Sequence, residues 1–222
     1  MKIIHMEIPK DFSRRSGLAL RPEGVTIHST GNQKSTARNE AENVCNNDTR
    51  IASWHFVVGD NVIYQVLPLD EVAWHAGDGR NGTGNRTTIA IEMVETGDRK
   101  KVIENTVGLV RDLMKQYGFG PDKVYKHNHW TGKNCPRILI DSAYIKDGVT
   151  WVYFMNRLKE DEPMEKVYNS LEELPSYWKP MVKWAKEKGI FSGQKNGAFA
   201  LTETQVKALV FLYNDNKRKG TL

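Results

Sequence analysis

The chain has 222 residues, and its 39% hydrophobic content suffices for one large domain or a medium domain with a small appendage. Its two cysteines, Cys45 and Cys135, exclude a disulfide framework while leaving room for one bridge, and no apolar run approaches the ~20 residues that carry a helix across a bilayer. The formal net charge of +5 suits an anionic partner (nucleic acid, a membrane surface or an anionic cell-wall polymer), and it equally suits a solvated surface with a slight lysine excess.

The first residues, Met1-Lys2-Ile3-Ile4-His5, lack the basic-then-apolar pattern of a secretory signal, so the expected location is the cytoplasm of the producing cell. Residues 24–29 read as a short buried strand with His28 at its end. Ser35 or Thr36 can cap a helix running to about residue 47, with Ala37, Ala41 and Val44 on one face. Residues 51–58 and 62–67 flank the turn signal Gly59-Asp60-Asn61 and predict a hairpin. Residues 74–86, rich in Gly and Asn, predict a long surface loop of the kind that carries binding groups. Residues 88–94 are continuously β-prone, as in a central strand. Val102, Thr106, Leu109, Val110, Leu113 and Met114 recur at helical spacing up to Tyr117, and Gly118 stops that helix. A short strand over 124–127 leads into a dense motif, and residues 149–158 predict one more helix.

A linker is expected at 161–166, where a charge run meets Pro163. Beyond it lie two helical stretches, 175–188 and 202–213, separated by turns at 189–193 and 196–199. Residues 163–222 hold ten Lys/Arg against six Asp/Glu, so most of the basic excess belongs to this appendage.

The dense motif is Lys126-His127-Asn128-His129-Trp130-Thr131-Gly132-Lys133-Asn134-Cys135-Pro136. It brings two imidazoles, an ammonium and a thiol within ten residues. A thiolate and a neutral imidazole suit zinc, and a lysine beside them can steady an anion. A catalytic zinc needs three protein ligands and one open position. His127 and Cys135 are eight residues apart across a loop, and His28 is the best remote candidate for the third. Taken singly, a strand-end histidine is more often a hydrogen-bonded structural group, and a cysteine before proline is usually only packed.

Taken together, these segments resemble the zinc-dependent N-acetylmuramoyl-L-alanine amidases of the phage-endolysin type, which share a fold with peptidoglycan recognition proteins. The resemblance covers roughly residues 20–160 and rests on six ordered motifs. They are Val25-Thr26-Ile27-His28-Ser29-Thr30, Ser53-Trp54-His55-Phe56-Val57-Val58, Ala73-Trp74-His75-Ala76-Gly77, Gly84-Asn85-Arg86, Ile89-Ala90-Ile91-Glu92 and the stretch from His127 to Pro136. It implies an α/β fold, with a central mixed sheet flanked by helices over 1–160. It also implies one Zn2+ on His28, His127 and Cys135, with His129 as a neighbour. Glu92 matches the family's strand glutamate, which would take a proton from water and pass it to the leaving amine. Lys133 matches the lysine two residues before the cysteine and would stabilise the oxyanion. Trp54, His55, His75, Asn85 and Arg86 are expected along the substrate groove, with Arg86 able to hold a peptide carboxylate. His55 also reads as a buried structural histidine, and Cys45 as a packed or free thiol.

Residues 167–222 resemble a single S-layer-homology repeat, a small all-α domain. The similarity is carried by Trp178-Lys179-Pro180-Met181-Val182-Lys183-Trp184-Ala185, Lys188-Gly189-Ile190-Phe191-Ser192-Gly193 and Ala200-Leu201-Thr202-Glu203-Thr204-Gln205. Trp178, Lys183 and Trp184 are its candidate contacts to an anionic secondary wall polymer. A small helical cap with core tryptophans, or a homo-oligomer contact, is the other reading.

The expected function is a peptidoglycan amidase, a lysin of a phage or prophage that acts on the wall after release by another protein. The alternative is a non-catalytic peptidoglycan-binding protein of the same fold, which would have no need for a zinc thiolate. Nothing in the first 160 residues supports nucleic-acid binding.

Overall fold

Val25 and Ile27 are fully buried in β2 (Gly24–Ser29), as Ile89 and Ile91 are in β5 (Thr88–Met93). Strands covered on both faces need apolar or internally paired side chains on each, and these two form the centre of a six-stranded sheet. The computed structural model describes residues 2–159, 167–191 and 199–219, which divide into two compact units, Met1–Lys159 and Glu160–Leu222.

The sheet of the first unit also holds β1 (Ile3–His5), β3 (Phe56–Val58), β4 (Ile63–Gln65) and β6 (Val124–Lys126), in the order β1-β4-β3-β5-β2-β6. Only β3 and β4 pair antiparallel, so the sheet is mixed, as expected. They form the predicted hairpin, closed by Gly59 N–H donating to the Val62 carbonyl at 2.9 Å. The predicted strand over 51–58 shortens to three residues, because Ser53 N–H is drawn instead to the Trp74 carbonyl at 3.0 Å. β1 was not legible in the sequence; it adds in parallel to the edge of β4.

Helices cover the sheet. In α1 (Ala37–Asn46), Thr36 accepts from Asn39 N–H and closes a capping box, while Ala41 and Val44 are fully buried. A short α2 (Thr83–Thr87) precedes β5. The long α3 (Arg99–Tyr117) is capped by Asp98 and ends at Gly118, whose φ of 73° favours a residue without Cβ. Two single turns, α4 (Asn128–Thr131) and α5 (Arg137–Ile140), shape the dense motif, and α6 (Trp151–Lys159) closes the unit.

Residues 74–86 form the expected surface loop in part, with Gly77, Gly79, Arg80, Asn81 and Thr83 exposed. They include α2, Ala76 is fully buried and Asn85 is 4% exposed. Their polar groups are paired internally: Asn85 Oδ1 accepts from the N–H groups of His75 and Ala76, and Asp78 Oδ2 accepts from Gly84 N–H. Internal pairing of this kind lets a Gly/Asn-rich segment be buried.

In the second unit, α7 (Lys179–Glu187) and α8 (Glu203–Arg218) match the two expected helices, and Thr202 caps the second through a capping box. The unit is not purely helical, since β7 (Val167–Tyr168) pairs antiparallel with β8 (Leu201–Thr202). It has its own apolar core, including Leu174, Val182, Ala185, Phe199 and Val206. The linker expected at 161–166 and the turn residues 192–193 and 196–198 lie outside the described residues.

Both cysteines are free, so the bridge that composition allowed is not formed. Cys45 is packed in α1 and its thiol donates to the Met6 carbonyl at 3.1 Å. No helix among the described residues is long and apolar enough to cross a membrane.

Candidate metal centre and groove

Register in the parallel sheet assembles the centre. His28 on β2 lies opposite Glu92 on β5, and residues opposite one another in a parallel pair share a face. On the other side of β2, Ile27 pairs with Lys126, and His127 N–H donates to the Ile27 carbonyl at 3.1 Å. His127 therefore leaves the end of β6 beside His28. The chain turns through α4 and returns with Cys135, which packs against the end of β2. Its Sγ is 3.4 Å from Ser29 N.

The donor atoms converge. His28 Nδ1 is 2.9 Å from His127 Nδ1 and 3.9 Å from Cys135 Sγ, and all three ligand atoms lie within 4.8 Å of one another. Zn–N bonds of about 2.0–2.1 Å and a Zn–S bond of about 2.3 Å in a tetrahedron place two nitrogens about 3.3 Å apart and nitrogen and sulfur about 3.6 Å apart. The observed spacings lie within about 0.4 Å of those values, so the residues fit zinc. Their protonation fits as well. Burial, then the charges of His75 and His127, holds His28 well below the ordinary histidine range. Burial, then the charge of Lys133, pushes His127 down to about 4. Both imidazoles are thus neutral, the form that ligates a metal. Burial, then Glu92, pushes the Cys135 thiol up to about 12, so a cation must displace its proton.

Glu92 faces this cluster with Oε1 4.0 Å from His28 Nδ1, while Oε2 is buried without a hydrogen-bond partner. Burial, then Glu40, raises its carboxyl to about 8. Lys133 is exposed at the rim, and its positive charge acts on His28, His127 and Glu92 alike.

Two adjacent cavities, both touched by Ala52, flank the centre. One of ≈ 490 Å³ is lined by Glu92, Trp54, Thr30, Asn32 and Arg50 among others. Thr30 Oγ1, Trp54 Nε1 and Glu92 Oε2 are all buried there without partners, which suits a polar occupant. The other, of ≈ 860 Å³, is lined by His127, Lys133, His75, Trp74 and Arg80 among others.

Of the residues expected along the groove, Trp54 lines the first cavity. His55 is not a groove residue. It is fully buried beside β3, its Nδ1 accepts from Ala90 N–H at 2.9 Å and its Nε2 donates to the Glu71 carbonyl at 2.9 Å. Asn85 reaches the second cavity, yet its amide is consumed by the backbone of His75, Ala76 and Gly79. Arg86 is half-buried in α2 and lines neither cavity. His75 lines the second cavity, but its Nδ1 lies 3.0 Å from His28 Nε2. His129 is exposed, tilted against the Tyr125 ring and edge-on to Trp130, outside the cluster. In the second unit, Trp178 and Trp184 pack against the core and only Lys183 is fully on the surface.

Sequence reasoning missed the ion pair that anchors the cysteine turn. Glu95, just beyond β5, has a fully buried side chain, and Arg137 donates to it through two nitrogens, Nε at 2.9 and 3.1 Å and Nη2 at 2.6 Å. Glu95 also accepts from Gly31 N–H at 3.1 Å, tying the ends of β2 and β5 to the segment after Cys135. Only the two charges were visible in the sequence, 42 residues apart. Arg137→Ala would strand a buried carboxylate, and urea unfolding is expected to show a loss of about 3–5 kcal/mol. A loss under about 1 kcal/mol, the surface-pair range, would contradict this.

His55 makes a second measurable contribution. Burial pushes it down to about 4, so the fold keeps it neutral while the unfolded chain binds a proton below about 6.5. Its stabilisation is complete above about pH 6.5 and is lost as pH falls towards 4. Between pH 7 and pH 5 the parent should lose about 2 kcal/mol more stability than His55→Gln. Equal losses in the two proteins would refute the assignment.

Comparison with known proteins identifies the family of the first unit. Residues 18–138 match the family model described as N-acetylmuramoyl-L-alanine amidase, Amidase_2. The chain is 41% identical over 173 residues to the N-acetylmuramoyl-L-alanine amidase CwlH of Bacillus subtilis, covering 76% of this chain and 66% of that protein. It is 42% identical over 146 residues to the amidase XlyA of the same organism, covering 64% of this chain and 48% of that protein. The solved catalytic domain of XlyA superposes with a TM-score of 0.65 at 38% identity, covering 71% of this chain and 99% of that domain. The chain thus spans about two thirds of the length of CwlH and about half that of XlyA.

Proposed function

Because this chain belongs to the N-acetylmuramoyl-L-alanine amidase family, Amidase_2, we propose that its first unit hydrolyses the amide between the lactyl group of N-acetylmuramic acid and L-alanine in bacterial peptidoglycan. The observation that carries this reading is the convergence of His28 Nδ1, His127 Nδ1 and Cys135 Sγ beside Glu92. These three residues would hold one zinc ion. When bound, zinc supplies Lewis acidity that makes water acidic near neutral pH.

The chain's own groups carry the rest. Glu92 Oε2, buried and unpaired, accepts a proton from the attacking water as the new C–O bond forms. The Glu92 carboxyl then returns that proton to the alanine nitrogen as the C–N bond breaks, so the products are a lactyl carboxylate and a free amine. The Lys133 ammonium, at the rim of the larger cavity, opposes the negative charge that gathers on the carbonyl oxygen. Thr30, Trp54 and Asn32 give the smaller cavity a polar wall that suits sugar hydroxyls or peptide amides.

We extend the proposal to a lytic role on the wall of a Gram-positive host, as for an endolysin. The basic excess of the second unit, with Lys183 exposed, would draw it to anionic wall polymer. The experiment is digestion of purified peptidoglycan followed by mass analysis of the fragments. Glycan chains with intact lactyl groups and stem peptides with free N-terminal alanine are expected. Fragments cut within the glycan or within the peptide would overturn the assignment, and undigested wall that retains bound protein would favour the non-catalytic relative.

A further inference from the structure

We propose that His75 is a positioning residue for the metal centre, holding His28 in the one tautomer and orientation that can ligate. The inference rests on the zinc reading of His28, His127 and Cys135.

His28 Nδ1 faces the other two ligand atoms, and its second nitrogen, Nε2, lies 3.0 Å from His75 Nδ1. A neutral imidazole carries one proton. On Nδ1 that proton would occupy the lone pair a metal needs, so a ligating His28 carries it on Nε2 and donates it to His75. The rings meet edge-on, with planes 85° apart and centroids 5.1 Å apart. His75 must then keep Nδ1 bare and bear its own proton on Nε2. That nitrogen is buried without a hydrogen-bond partner. Orientation therefore passes from His75 to His28.

His75 is itself held firmly. Asn85 Oδ1 accepts from His75 N–H at 2.9 Å and from Ala76 N–H at 2.8 Å, while Asn85 Nδ2 donates to the Gly79 carbonyl at 3.0 Å. Gly84 packs so tightly that a Cβ there would lie 2.6 Å from Ala76 Cβ and 2.8 Å from the Trp130 ring. This clasp anchors the 74–86 segment through its buried residues Ala76, Gly84 and Asn85. It also removes His75 as a substrate contact, since one ring nitrogen is taken by His28 and the other is enclosed. Groups that orient ligating histidines in this way typically set metal affinity by about 10–100-fold.

The test measures zinc affinity of the full chain by competition with a chromophoric chelator, for the parent, His75→Leu and His75→Gln. His75→Leu removes the acceptor and should weaken zinc binding by about 10–100-fold. His75→Gln can accept the same hydrogen bond through its side-chain carbonyl and should stay close to the parent. Equal affinity for the parent and His75→Leu would overturn the proposal, and so would equal weakening in both variants. A parent that binds no zinc would instead overturn the metal reading itself, and this inference with it. A second measurement needs no variant: imidazole 15N shifts of the zinc-loaded parent should show His28 and His75 each protonated on Nε2. A proton on His75 Nδ1 would overturn the proposal.

Discussion

Glu92→Gln will keep its zinc and lose about 10²–10⁴-fold in the rate of alanine release, the usual worth of a positioned acid–base group. The substitution preserves volume and polarity, so it isolates proton transfer. Glu92 sits opposite His28 in the β2–β5 register, with Oε1 4.0 Å from His28 Nδ1, close enough to serve water at the centre but beyond bonding distance to the ligand set. Burial and the nearby Glu40 raise its carboxyl to about 8, and a dication beside it would pull that value back towards neutrality. A base with a pKa near the working pH can both take and return a proton. Two measurements on one sample decide the matter. Metal analysis should find one zinc per chain in parent and variant, and amine release should collapse only in the variant. Loss of zinc from Glu92→Gln would make Glu92 a ligand or a structural support. Retained turnover would remove it from the mechanism.

Cys135→Ala should do the opposite and lose the metal first. The sulfur is the softest donor of the three and is 5% exposed, so removing it leaves two imidazoles and a small apolar gap. Zinc affinity should fall by more than the about 10–100-fold that a supporting residue costs, with activity falling to background. Stability supplies an independent readout. A ligand that binds only the folded state raises the melting temperature, so added zinc should stabilise the parent and leave Cys135→Ala unmoved. Without metal Cys135→Ala should melt slightly below the parent, because truncation leaves a gap and removes the sulfur that accepts from Ser29 N–H. Stoichiometric zinc in Cys135→Ala would exclude the sulfur from the ligand set.

The contrast between these variants reflects what the sequence could reveal. Long periodic segments were legible: α3 and β2 run close to their expected bounds, because apolar spacing and caps are local signals. β1 was not, since three residues carry no pattern and its pairing with β4 is set by the tertiary fold. The 74–86 segment is a surface loop only in part, because Asn85 and Asp78 pair its backbone internally, and that pairing leaves no mark in the sequence. In the candidate site, ordered motifs pointed to His28, His127 and Cys135, and the register of β2, β5 and β6 brings them together. The face on which His55 falls was undetermined, because residues 51–55 are irregular and alternation does not extend through them. The contact between His75 and His28 links rings 47 residues apart and could be read only from coordinates.

The proposed function makes peptidoglycan cleavage depend on a metal held by His28, His127 and Cys135. Its most direct test follows new N-terminal alanine from purified wall with the full chain as prepared, after chelation and dialysis, and after stoichiometric zinc is restored. Release is expected from the first sample, none from the second, and recovery in the third for the parent but not for Cys135→Ala. Undiminished release by the chelated protein, with metal analysis confirming removal, would contradict it.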